Sequence, residues 1–189
     1  MSSSYPRLEG LNREKITNRL LNILESEFAM KPTSYGIIGH SLGCGTAAST
    51  GDETWTRVYI AGRPSTVKGP SLFIASTNDG AVTLDRVKGS LPLDYVELDE
   101  SIIDDVSGLN LPKRAALIFM REDAPNHISF LADSTNNAMI DLLSPLLPIA
   151  QMLSIPVLDF DKYQISRDSK KTADVLVPLV TLYLKQNML

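Results

Sequence analysis

This chain of 189 residues has little cysteine, histidine or aromatic side chain: one Cys, two His, and 6% Phe, Trp and Tyr together. One cysteine excludes an internal disulfide and leans toward a reducing, intracellular compartment, with cytoplasm and organelle undistinguished. Two histidines and a single thiol make no zinc spacing, and no glycine-rich phosphate loop is present, so neither a metal nor a cofactor is expected. A formal net charge of −4, with no basic stripe and no basic-aromatic interleaving, speaks against an extended nucleic-acid surface. The apolar run 142–158 is broken by Pro145, Pro148 and Pro156 and adjoins Asp141, so no membrane span is expected. Core packing is its default role; lining an acyl-binding cleft or touching a membrane surface are the alternatives. No secretory signal or organellar transit peptide is read in the first residues.

Against these absences stands Gly39-His40-Ser41-Leu42-Gly43, which fits the G-x-S-x-G nucleophile elbow. Chance gives such a match in roughly one unrelated chain of this length in sixteen, so its surroundings decide its weight. They suit an elbow: residues 35–38 form an apolar extended run, and the small residues 43–49 can open a helix. Neighbours without side-chain bulk let backbone and substrate approach a serine held on a strained strand-to-helix turn. Two further apolar, β-prone runs follow. Residues 71–76 lead into Thr77-Asn78-Asp79-Gly80, and residues 115–120 into a loop that delivers Pro125-Asn126-His127.

The order Ser, Asp, His, each beyond the carboxyl end of a strand, is the triad order of the α/β-hydrolases. The chain resembles the C-terminal part of an α/β-hydrolase, and the short link from the strand at 58–62 to that at 72–74 is most similar to the dienelactone hydrolase, cutinase and chlorophyllase-like branch. The resemblance covers residues 11–189. It implies Ser41 as nucleophile, Asp79 as acid, His127 as base and the Leu42 N–H as an oxyanion donor. The chain departs from the pattern in two places: Cys44 stands where many relatives have glycine, and the strands that usually precede the elbow, with the loop supplying a second oxyanion N–H, are not visible.

The histidine count supports the base independently. A serine hydroxyl needs a base within hydrogen-bond reach, and only His40 and His127 exist. His40 is adjacent to Ser41, so its side chain leaves the backbone in another direction; it is grouped with Leu42 in the oxyanion and substrate-binding part of the site. The bland alternatives are a satisfied loop histidine for His127 and a plain Asn-Asp-Gly turn for Asp79. Asp85, Asp94 and Asp99 are the fallback acids. Cys44 reads as a small buried residue beneath the elbow.

The expected architecture is a three-layer α/β/α sandwich with a mostly parallel sheet, a truncated α/β-hydrolase fold: a flexible 1–10 followed by one domain over 11–189. Residues 11–30 read as an amphipathic helix through Ile16, Leu20, Leu24 and Phe28, ended by Lys31-Pro32. The acidic stretch 94–112 is either a loop over the site mouth or a solvated insertion. Residues 128–153 and 172–185 read as helical, interrupted by Pro145 and Pro148 and kinked or restarted at Pro178; Lys170-Lys171 is a solvated helix start. The function expected is hydrolysis of a small ester or lipid-like substrate. The alternatives are a catalytically weak or inactive binding or assembly module and a fragment of a longer hydrolase. A sheet ending at 35–38 also predicts a second copy or a partner subunit over that edge.

Overall fold

The computed structural model describes residues 13–131, 133–152 and 168–188. The chain divides between Thr33 and Ser34 into a helical unit and an α/β unit. The segment 1–10, expected to be loose, lies outside the described residues.

In the first unit, α1 (Arg13–Phe28) carries the expected apolar stripe. It stops before Lys31-Pro32 because Ala29 turns left-handed at φ 52° and the Met30 N–H reaches back 3.1 Å to the Leu24 carbonyl. That six-to-one bond satisfies a carbonyl the helix end would orphan, and a proline shortly afterwards only prevents resumption.

The α/β unit is built on five strands: β1 (Gly36–His40), β2 (Thr56–Ile60), β3 (Ser71–Ser76), β4 (Val96–Leu98) and β5 (Arg114–Phe119). Their order is β1-β2-β3-β5-β4, and every neighbouring pair is parallel. Parallel strands covered on both faces read as continuous apolar runs rather than alternations, which is how β3 and β5 appear in the sequence. Alternate residues divide between two cores. Val58, Leu72 and Leu117 meet Leu179 and Tyr183 of the C-terminal helix α6 (Ser169–Met188). Tyr59, Phe73 and Ala116 meet Cys44 and Ala47 of α2 (Gly43–Ser49) and Val87 of α3 (Leu84–Lys88). Helices thus cover both faces of the sheet.

The acidic stretch 94–112 differs from both expectations. It contributes β4, whose Leu98 pairs with Leu117, and then a 3-10 turn at Glu100–Ile103 whose Ile103 enters the core with Leu111. The alternation of carboxylates with single apolar residues hid a three-residue edge strand, because an edge needs one buried position rather than a run.

Helix starts and breaks follow local chemistry. Residues 128–131 are not helical, since the Asn126 carboxamide oxygen takes the N–H groups of Ile128 and Ser129 at 2.9 and 2.8 Å. The helix begins later as α4 (Asp133–Leu143), passes into a 3-10 turn at Ser144–Leu146 containing Pro145, and continues as α5 (Leu147–Met152) with Pro148 in its first turn, where a missing N–H costs nothing. Leu153 lies outside the described residues. Helix α6 starts earlier than expected because Asp168 caps it, its carboxylate accepting from the Lys171 N–H at 2.7 Å; it runs through Pro178 as one helix to Met188. Lys170 and Lys171 are exposed there. No helix among the described residues is long and apolar enough to cross a membrane.

Arg57, fully buried on β2, fastens α2 to this body. Its guanidinium donates to the carbonyls of Ala47 (3.0 Å), Thr50 (2.7 Å), Asp52 (2.8 Å), Trp55 (2.9 Å) and Lys68 (3.4 Å). Ala47 belongs to the last turn of α2 and Thr50 is its C-cap, where a cation also complements the helix dipole.

Candidate active site

Ser41 follows β1 directly. Its backbone is left-handed at φ 54°, a conformation that costs a non-glycine residue about 1–2 kcal/mol, and its N–H prolongs the parallel ladder by donating to the Ile60 carbonyl at 2.9 Å. The elbow's two glycines are not equivalent. A Cβ on Gly39 would sit 2.6 Å from the Gly43 carbonyl oxygen and 2.8 Å from the Cys44 nitrogen, so α2 can start against β1 only if position 39 is bare. A Cβ on Gly43 would meet nothing within 4 Å. Packing therefore demands the first glycine alone.

Asp79 lies in the turn after β3, buried to 2% exposure. One carboxylate oxygen accepts from the N–H groups of Ala81 (2.9 Å) and Val82 (2.7 Å); the other accepts from His127 Nδ1 at 2.9 Å. With Nδ1 carrying the proton, Nε2 is left with a lone pair. It faces the Ser41 hydroxyl, which donates to it at 2.8 Å. Three residues separated by up to 86 positions thus form one unbroken hydrogen-bonded chain. None of the fallback acids takes part. Asp94 holds both its oxygens on Arg114, Asp99 caps the 3-10 turn through Ser101, and Asp85 is exposed in the first turn of α3.

His127 must travel to reach Ser41. It follows β5, and β5 is three strand positions from β1, about 14 Å across the sheet. The intervening loop passes the tip of β3, where the Asn78 carboxamide donates to the carbonyls of Glu122 and Ala124, both at 3.0 Å. Beyond it Asn126, fully buried, closes the turn around Ser129, whose hydroxyl also bonds its carboxamide oxygen at 2.9 Å. Sequence reasoning missed both asparagines as positioning groups. Their adjacency to Asp79 and His127 was the available signal, but turn-forming Asn is too common to single out.

The structure places the His40 side chain against His127 rather than Ser41, apart from the oxyanion grouping expected for it. Its Nε2–H donates to the main-chain carbonyl of His127 at 2.8 Å, and the two rings lie 5.0 Å apart. Burial, the largest influence, lowers its pKa below the ordinary histidine value. Leu42, the residue before α2, is 73% exposed.

Cys44 lies beneath the elbow, fully buried, with its Sγ against the carbonyl oxygens of Gly39 (3.2 Å) and Ile60 (3.5 Å). Burial pushes its pKa up to about 12, so the thiolate needed for nucleophilic chemistry does not form near neutrality. Among the described residues no group of three or more His, Cys, Asp and Glu is arranged to hold a metal ion. No family model, curated protein or solved structure matches this chain, so the geometry of Ser41, His127 and Asp79 is the ground on which its chemistry can be judged.

Proposed function

We propose that the chain is a serine hydrolase of carboxylic esters, related to the α/β-hydrolases. The observation that carries this reading is the hydrogen-bonded chain from Ser41 Oγ through His127 to Asp79, anchored on a left-handed serine at the carboxyl edge of a parallel sheet. In the reaction, Ser41 Oγ attacks the ester carbonyl while His127 Nε2 takes its proton; the same proton then goes to the leaving alcohol as the C–O bond breaks. Water, giving a proton to His127, attacks the acyl carbon; as the bond to Ser41 Oγ breaks and the carboxylic acid leaves, His127 returns that proton to the serine. Asp79 holds the ring in the tautomer this requires and stabilises the imidazolium. The Leu42 N–H, at the start of α2, is the oxyanion donor in this scheme.

A second reading, a weak or inactive hydrolase-like module that binds a partner, draws on β1. Among the described strands it pairs with β2 alone, and Ile38 is 52% exposed on it. In that reading a second copy or another subunit covers the N–H and C=O groups of residues 36–38 and completes or replaces the oxyanion site.

A fluorophosphonate probe separates the two. The hydrolase reading expects covalent labelling of Ser41, mapped by peptide mass spectrometry, and its loss in His127→Ala. Folded protein that stays unlabelled while a control hydrolase reacts would leave the binding module as the better account.

A further inference from the structure

The loop that carries the base spans about 14 Å across the sheet, so its far end needs fastening where the chemistry happens. Asn78 holds the loop midway, at the tip of β3. The last tie is on β1 itself. His40, the residue before the nucleophile, donates its Nε2–H to the carbonyl of His127 at 2.8 Å. The acceptor belongs to the same residue whose Nε2 sits 2.8 Å from Ser41 Oγ. The bond therefore ties the base's backbone to the nucleophile's own strand, closing a ring through Ser41 and His127. Phe130 stands 6.2 Å from the His40 ring and 6.5 Å from Phe119, so aromatic packing restrains the imidazole in the orientation the bond requires.

We infer that His40 is a positioning residue for the reaction proposed above: by holding the His127 carbonyl it sets the distance between the base and the Ser41 hydroxyl. The inference rests on the hydrolase reading and adds to it a second histidine that never touches substrate. A displacement of the base by about 1 Å is enough to cost on the order of 10²-fold in rate, so losing this tie should appear in kcat and not in KM.

The test compares His40→Phe, which keeps a ring and removes the donor, with His40→Gln, which keeps an N–H donor on a flexible side chain. Turnover of p-nitrophenyl acetate and the rate of fluorophosphonate labelling at Ser41 are measured for each beside the wild type. His40→Phe is expected to lose about 10- to 100-fold in kcat and in labelling rate with KM changed less than about threefold, and His40→Gln to restore most of the loss. Wild-type kcat in a folded His40→Phe overturns the inference and leaves the hydrolase reading intact, and so does equal impairment of both variants, because a donor kept at position 40 would then make no difference to the rate. A wild-type chain that neither turns over ester nor labels at Ser41 overturns the hydrolase reading and this inference with it. Should both variants fail to fold, nitrogen-15 NMR of the wild-type imidazoles decides: the proton of neutral His40 is expected on Nε2, and finding it on Nδ1 overturns the assignment.

Discussion

Replacing Gly62 with alanine would put a methyl carbon 2.4 Å from Cys44 Sγ and 2.6 Å from the Ser41 carbonyl oxygen. Comfortable contact between such atoms begins near 3.5 Å, so each neighbour would have to retreat by roughly 1 Å. Neither can do so freely. The sulfur is held against the carbonyls of Gly39 and Ile60, and the Ser41 carbonyl accepts the Cys44 N–H at 3.0 Å in the first turn of α2. The displacement therefore passes into the elbow. Overpacking of this kind costs about 1–3 kcal/mol of stability, and moving Ser41 Oγ by about 1 Å from His127 Nε2 should slow its acylation by about 10²-fold. Cys44→Ala in the same chain would relieve the contact with sulfur but not that with the backbone oxygen, so rescue should be partial. Urea unfolding followed by circular dichroism gives the first quantity, and the rate of fluorophosphonate labelling the second. Gly45→Ala is the control: a Cβ there meets nothing within 4 Å on a helical position, and it should stabilise by about 0.5–1 kcal/mol. Gly62→Ala with unchanged stability and labelling would refute the packing argument for the elbow.

On the proposed hydrolase reading, Ser41→Ala and His127→Ala are each expected to remove most p-nitrophenyl ester hydrolysis, with Asp79→Asn equal or milder, because triad members act as one unit; undiminished activity in Ser41→Ala would exclude it as nucleophile. Arg57→Met should cost about 3–5 kcal/mol in denaturant unfolding, since it strips donors from five carbonyls around α2, and a loss below about 1 kcal/mol would show that water replaces the guanidinium. His40 gives an acid-side signature. Burial first, and then the nearby His127 charge, lower its pKa, against the backbone bond to His127 and the Asp79 carboxylate. Its folded-state value is thus depressed, so its contribution to stability is complete above the unfolded value of about 6.5 and is lost as pH falls below it. His40→Gln should flatten the fall in thermal midpoint below about pH 6.5 relative to wild type, and parallel curves would refute the assignment.

Much of the sheet is legible from local chemistry alone. Strand β3 and helix α2 form where apolar, β-prone residues and small residues predict them; Ser41 and Asp79 are marked by turn residues close beyond strand ends, and His127 by the loop that follows β5. These signals need only neighbours in the chain. Position in the sheet does not, which is why β4 was missed: three residues with one buried side chain become a strand only because β5 offers them a partner. The same holds within the site. The expectation that a nucleophilic Ser41 would need a base, and that His127 rather than His40 would serve, rests on composition and local direction. The 2.8 and 2.9 Å spacings that join the three residues follow from the β1-β2-β3-β5-β4 order, from Asn78 pinning the crossing loop, and from His40 turning to the carbonyl of His127. Sequence marks the candidate groups because their chemistry is intrinsic to the residue; tertiary structure alone decides their distances, because those depend on bonds between residues tens of positions apart.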